Sequence, residues 1–165
     1  MEPNFHALQL ISEIALGIVG FSAILIGLSR TTDGFSDPDD FRIQLLTYSA
    51  FGAIFGGILP FAIFNIQNLE LSWVIICWAI CLYSVVGLLV FPKKMLSLRK
   101  EGHEKIFPIK LFVFQTGILS INFILSGLMI VGYLTAISNI YIVCLVLFLL
   151  QSTMAFIRTM FVRVN

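Results

Sequence analysis

Residues 72–91 have the sequence SWVIICWAICLYSVVGLLVF, and PKKMLSLRK follows at 92–100. The first segment contains no charged residue, and its length of about 20 residues is what an α-helix needs to cross about 30 Å of hydrocarbon. The second segment carries Lys93, Lys94, Arg99 and Lys100. An apolar span that runs into a basic segment predicts a transmembrane helix ending at a cytoplasmic surface.

The rest of the chain has a similar composition. It is 59% hydrophobic and 12% charged, whereas a soluble domain is about 45–50% apolar and about 25% charged. Four further apolar stretches are long enough to span a bilayer. We therefore predict an all-α fold in which residues 1–165 form one transmembrane domain of five helices, at about 7–28, 43–64, 72–91, 110–135 and 139–159. The last two are predicted as separate helices because one unbroken helix would be about 70 Å long.

The charges predict the orientation of these helices. With five spans, all ten Lys and Arg residues fall on one side, in the 29–42 loop, in the 92–109 loop or beside the last two spans. The positive-inside rule then predicts an outside N-terminus and a cytoplasmic C-terminus. We therefore expect an integral membrane protein, which in a bacterium would be located in the inner membrane. The basic loop 92–109 either determines topology alone or also contacts anionic lipid through Lys93, Lys94, Arg99 and Lys100.

The first span carries small and polar residues along one face. At about 100° per residue, this face spans roughly 80°. It includes His6, just before the span, and Ile24 as its one large apolar member, and its residues are His6, Gln9, Glu13, Gly17, Gly20, Ile24 and Gly27. Glycines in a membrane helix allow a neighbouring backbone to approach closely. The second span has a comparable surface that includes Gly52 and Gly56. We expect the first two helices to cross through these faces, with Gly17, Gly20, Gly52 and Gly56 as packing residues.

Glu13 is the only acidic or basic residue deep within a predicted span. A carboxyl group in hydrocarbon is a candidate proton or cation site. The alternative is a structural carboxyl that hydrogen-bonds a neighbouring helix. The position of Glu13 resembles that of a glutamate in the first helix of small multidrug-resistance exporters. This resemblance covers one helix of five, and it implies the chemistry of the carboxyl alone.

The last two spans contain side chains that need hydrogen-bond partners. Gln115, Asn122 and Ser126 share one stripe of the fourth span, and Gln151 lies on a stripe of the fifth. Because an unpaired amide in hydrocarbon is costly, we expect these side chains to face inward or towards another subunit. They either hydrogen-bond to one another or line water.

The sequence has no pattern typical of catalysis. His6 and His103 lie outside the spans, and the chain contains no HExxH motif and no phosphate-binding glycine loop. We therefore predict that the protein is not an enzyme, and we expect no metal, cofactor or nucleic acid. The favoured function is a small channel or transporter for an ion or small solute, working as a homo-oligomer with Glu13 as a proton or cation site. The alternative is an accessory or assembly subunit that packs against other membrane proteins through its glycine-rich and amide-bearing faces.

Overall fold

The computed structural model describes residues 2–29, 36–64, 66–134 and 136–161. These residues form five long α-helices, and no strand occurs among them. The helices are α1 (Phe5–Ser29), α2 (Asp37–Ile63), α3 (Leu69–Leu98), α4 (Ile109–Ile130) and α5 (Ile137–Phe161). Each contains a segment long and apolar enough to cross a membrane. The prediction of an all-α fold with five such helices is confirmed over these residues.

Consecutive helices run antiparallel, and α2 and α5 form the centre of the bundle. The α1 helix packs on α2 and α5, whereas α3 packs on α2 and α4, and α4 also packs on α5. One end of the bundle, which we call the basic end, holds the start of α2 and α4 and the last turns of α3 and α5. Arg30 and Arg163 lie outside the described residues, and all the other Lys and Arg residues lie at the basic end.

The interior contains two hydrophobic clusters. The larger one lies around Ile76, Tyr141, Leu145 and Phe148 and includes residues of all five helices. The smaller one is at the basic end, and its members are Phe41, Leu45, Phe91, Met95, Leu98, Phe107 and Leu111. Burying these aliphatic and aromatic side chains against one another positions the ends of α2, α3 and α4.

The α3 helix continues well beyond its predicted span. The sequence predicted a loop at 92–109, but α3 passes through Pro92 to Leu98, and a further turn follows at Arg99–His103, within which Gly102 leaves the helical conformation. Proline removes one helical hydrogen bond, yet Met95 and Leu98 beyond it are only 2% and 4% exposed. Their packing keeps the segment helical, so Lys93 and Lys94 lie on a helix.

The α4 helix ends earlier than predicted, at Ile130. Gly132 has φ +76°, and its N–H donates to the Met129 carbonyl at 3.2 Å while the N–H of Tyr133 donates to the Leu128 carbonyl at 3.1 Å. This pair of bonds is a Schellman motif, which satisfies the last carbonyls of a helix and needs a left-handed residue such as glycine. The break before α5 therefore begins at Gly132, several residues before the predicted one.

Candidate functional site

The polar and glycine-rich face of α1 lies on the outside of the bundle. Its members, which we call the α1 outer face, are His6, Gln9, Glu13, Gly17, Gly20, Ile24 and Gly27, and all of them are exposed. The opposite side of the same helix is buried: Leu8, Ile11 and Ala15 are at most 6% exposed. The helix thus contacts α2 and α5 with its apolar side and directs its polar side away from the chain.

Glu13 has a hydrogen-bond partner on its own helix. The Gln9 side-chain amide donates to Glu13 Oε1 over 2.8 Å, a pairing that one helical turn makes possible because residues four apart lie on the same side. The second carboxylate oxygen has no such bond within the described part of the chain. Glu13 is therefore outside any interior pathway of a single chain, in contrast to its predicted place between helices.

The predicted crossing of α1 and α2 through Gly17 and Gly20 on one side and Gly52 and Gly56 on the other is wrong for both helices, because Gly52 and Gly56 lie against α3 and α5. A Cβ atom built at Gly17, Gly20 or Gly27 would meet no described atom within 4 Å. The close approach is made by α2: a Cβ at Gly57 would lie 2.8 Å from the Leu8 carbonyl oxygen and would collide with Ser12. One glycine at the crossing is sufficient, so α1 contributes Leu8 and Ser12 and leaves its own glycines outside.

Gly52 and Gly56 lie in the interior against α3 and α5. A Cβ at Gly52 would be 2.8 Å from the Tyr83 ring and 3.3 Å from the Phe148 ring. A Cβ at Gly56 would collide with Leu145 and would be 3.0 Å from Ile80. The carbonyl of Gly56 also accepts a hydrogen bond of 2.6 Å from the Tyr141 hydroxyl. These two glycines let α5 lie close to the α2 backbone.

The amide side chains of α4 and α5 point into the bundle. Asn122, Ser126 and Gln151 are fully buried, and Gln115 is 6% exposed. Ser126 donates to the carbonyl of Asn122 at 2.8 Å. Both polar atoms of the Asn122 amide, both polar atoms of the Gln151 amide and Oε1 of Gln115 have no hydrogen-bond partner in the described part of the chain. The buried hydroxyl groups of three serines also have no hydrogen-bond partner in the described residues: Ser49, Ser84 and Ser152.

Tyr48 of α2 and Tyr83 of α3 form a contact that the sequence analysis did not identify. Their rings are stacked, with centroids 4.3 Å apart and an interplanar angle of 13°. Each hydroxyl donates to the backbone carbonyl of the other residue, Tyr83 to Tyr48 at 2.6 Å and Tyr48 to Tyr83 in return. The sequence does place a tyrosine in the middle of each of these two spans, where a buried hydroxyl needs a hydrogen-bond partner.

The basic end is held together by arginines around one aromatic ring. Phe107 is buried, and the guanidinium carbons of Arg42 and Arg158 lie 5.8 and 5.9 Å from its ring centroid, within the range of a cation–π contact. Arg158 donates to the carbonyl of Ile106, and Arg99 donates to the carbonyl of Phe107. The segment after the α3 turn is therefore fixed to the end of α5.

Two of the four candidate residues for contact with anionic lipid have partners in the chain. Lys94 Nζ lies 3.6 Å from an Asp40 carboxylate oxygen and 2.8 Å from Oε1 of Gln44. Arg99 donates to the carbonyl of Phe107. Lys93 and Lys100 are exposed. The described residues contain no group of three or more His, Cys, Asp or Glu side chains that could hold a metal ion.

The comparisons with known proteins identify no relative. No family model, no curated protein and no solved structure matches this chain. Two features of the structure bear on its function, the α1 outer face and the buried amides.

Proposed function

We propose that this chain is an integral membrane protein of a bacterial inner membrane and that it assembles with a second copy of itself through the α1 outer face. Its N-terminus lies outside and its C-terminus in the cytoplasm, so that the basic end contacts the cytoplasmic surface. The observation that carries the proposal is the exposed pair of Gln9 and Glu13 on a helix apolar enough to span a membrane.

The position of Gln9 and Glu13 along α1 makes their exposure to lipid energetically unfavourable. Glu13 lies eight residues after Phe5, where α1 begins, which is about 12 Å along the helix axis. At that depth a carboxyl group meets hydrocarbon unless protein covers it, and a polar group in hydrocarbon is costly even when it makes one hydrogen bond. Contact with another helix removes the pair from lipid.

A second copy of this chain fits the α1 outer face. In a two-fold dimer with its axis along the membrane normal, residues at the same depth face each other. The Gln9 amide offers both a donor and an acceptor, so it can bond to Glu13 of its own helix and to the partner helix. Gly17 and Gly20 follow without any described atom against them, and such small residues let two membrane helices come into backbone contact.

The same arrangement defines where a transport site would be. Within one chain, Glu13 lies on the outside of the bundle, so a proton or cation pathway through Glu13 requires the interface between two copies. Transport of an ion or small solute, the function favoured from the sequence, therefore depends on the assembly proposed here. Assembly through α1 is the function that the exposed Gln9–Glu13 pair favours.

Disulfide cross-linking in membranes tests the interface. Ile24 belongs to the α1 outer face and Leu82 lies on α3, and their exposures are similar, 61% and 57%. We expect oxidation to link two copies of an Ile24→Cys variant and to leave a Leu82→Cys variant monomeric. The native cysteines are all buried, and the unsubstituted protein serves as the control for them.

A second substitution tests whether the glycines allow the contact. In the Ile24→Cys background, Gly20→Leu should abolish cross-linking, while Gly117→Leu on α4, where a Cβ also has open space, should not. Equal cross-linking of the Ile24→Cys and Leu82→Cys variants would indicate random collision and would refute the interface. Cross-linking of the Ile24→Cys variant to a different protein would overturn the choice of a second copy.

A further inference from the structure

The half of the bundle near the basic end contains buried amides without partners. Gln115 lies in the second turn of α4, and Gln151 faces it from α5. Oε1 of Gln115 and both polar atoms of the Gln151 amide are inaccessible to solvent and have no hydrogen-bond partner in the described part of the chain. A buried amide without a partner loses the hydrogen bonds that water gives it in the unfolded chain, so buried polar groups almost always bond either to protein or to an ordered water.

A small cavity joins these two side chains. Its volume is about 10 Å³, which is room for about one water molecule. Gln115, Thr116 and Gln151 provide its polar lining, and the remaining walls are apolar: Phe41, Leu45, Phe91, Pro92, Met95 and Leu119. The cavity therefore has the size of about one water, and its wall is largely apolar, with the two glutamines and Thr116 as its polar residues.

Other buried polar groups differ from this pair. The Tyr141 hydroxyl donates to the Gly56 carbonyl at 2.6 Å, and Ser126 donates to the Asn122 carbonyl at 2.8 Å. The Asn122 side-chain amide also lacks a partner in the described residues, but it does not line this cavity. At Gln115 and Gln151, missing partners and a cavity of suitable size coincide.

We propose that Gln115 and Gln151 bind an ordered water molecule that joins α4 to α5. A buried water makes about two to four hydrogen bonds, and the two amides can provide these, since Gln115 Oε1 accepts and Gln151 both donates and accepts. The lining contains no charged side chain, so it suits a neutral ligand. This site is independent of the α1 outer face and of the assembly proposed above.

The stability of methionine variants tests the proposal. Methionine has nearly the volume of glutamine and no amide. Gln115→Met and Gln151→Met should each lower the thermal unfolding midpoint by about 2–4 °C, because each leaves the water and the other amide with fewer partners. The double variant should lose less than the sum of the two single losses, since it removes the whole network.

A dry cavity gives the opposite result. In that case each methionine replaces an unsatisfied amide with an apolar side chain, and both single variants should be as stable as the unsubstituted protein or more stable. That outcome would overturn the proposal.

Water-edited solid-state NMR on the full protein, with labelled glutamine side chains, provides the second measurement. We expect magnetisation transfer from water to the Gln151 amide, assigned by its loss in Gln151→Met, and loss of this transfer in Gln115→Met. If the losses of thermal stability are non-additive but no magnetisation passes from water to the Gln151 amide, the two amides bond directly to each other. That result would also overturn the proposal. This second readout remains informative if one of the variants is too unstable for thermal unfolding.

Discussion

At Gly57 the backbone of α2 lies close against α1. An added Cβ there would lie 2.8 Å from the backbone carbonyl oxygen of Leu8 and would collide with the Ser12 side chain. Ser12 itself is fixed by a hydrogen bond of 3.0 Å to the same carbonyl. Because a backbone atom cannot move aside as a flexible side chain can, any larger residue must displace α1.

We expect Gly57→Ala to destabilise the protein by about 1–3 kcal/mol, the usual cost of overpacking a buried site. The free energy of unfolding in detergent, followed by circular dichroism, measures this change. Gly117→Ala is the matched control, because a Cβ at Gly117 has no described atom within 4 Å and alanine has the higher helix propensity by about 1 kcal/mol. Equal stability of the two variants would contradict the close crossing at Gly57.

For single residues, the sequence predicted correctly which residues of α1 share a face. It did not predict that this face lies on the outside of the bundle. The helical period alone groups Gln9, Glu13, Gly17 and Gly20. Whether such a face packs inside the chain or lies outside depends on the neighbours, and α2 already supplies the small residue at the crossing. The Tyr48–Tyr83 contact was missed for a related reason, because pairing two residues 35 positions apart requires the relative position of α2 and α3.

The ends of α3 and α4 depend on glycines with positive φ. Gly102 has φ +99° and closes the turn after α3, and Gly132 has φ +76° and closes α4. The end of α4 could have been predicted from Gly132, since glycine shortly after an apolar helix is the usual signal. The end of α3 was less evident because the apolar stretch ends at Phe91 and the basic segment after it was predicted to be a loop. Burial of Met95 and Leu98, which the sequence does not reveal, extends the helix past Phe91.

The Gly102 position permits a test of this helix end. No described atom lies within 4 Å of a Cβ built there, so a substitution acts through the backbone alone. We expect Gly102→Ala to cost about 1–2 kcal/mol, the cost of a left-handed conformation for an ordinary residue, and Gly102→Asn to cost less because asparagine tolerates this region better. Chemical unfolding of the two variants measures the difference. Equal losses for Ala and Asn would contradict the left-handed conformation.

For the whole molecule, length and hydropathy were enough to predict five helices, because a span of lipid requires about 20 apolar residues whatever its neighbours are. The order in which the helices pack could not be predicted in this way. Hydropathy is similar around every side of such helices, so it does not reveal that α2 and α5 are central and that α1 lies at the edge. The burial of Gln151 and the exposure of Glu13 both follow from that order.

The one-sided distribution of charge provides a test of orientation. Asn139, at the end opposite the basic end, and Lys100 at the basic end are both exposed. In intact bacterial cells, a membrane-impermeant maleimide should label Asn139→Cys. It should label Lys100→Cys only after the membrane has been permeabilised, because positively charged segments remain in the cytoplasm. Labelling of Lys100→Cys in intact cells would reverse the proposed orientation.

The contact of Tyr48 and Tyr83 has a mechanical consequence. Both hydroxyl bonds join the same two levels of α2 and α3, so a slip of one residue, about 1.5 Å, breaks both bonds at once and separates the stacked rings. The helices α2 and α3 therefore cannot slide past each other in small steps. Under a pulling force, the contact between Tyr48 and Tyr83 should therefore break in a single step rather than gradually.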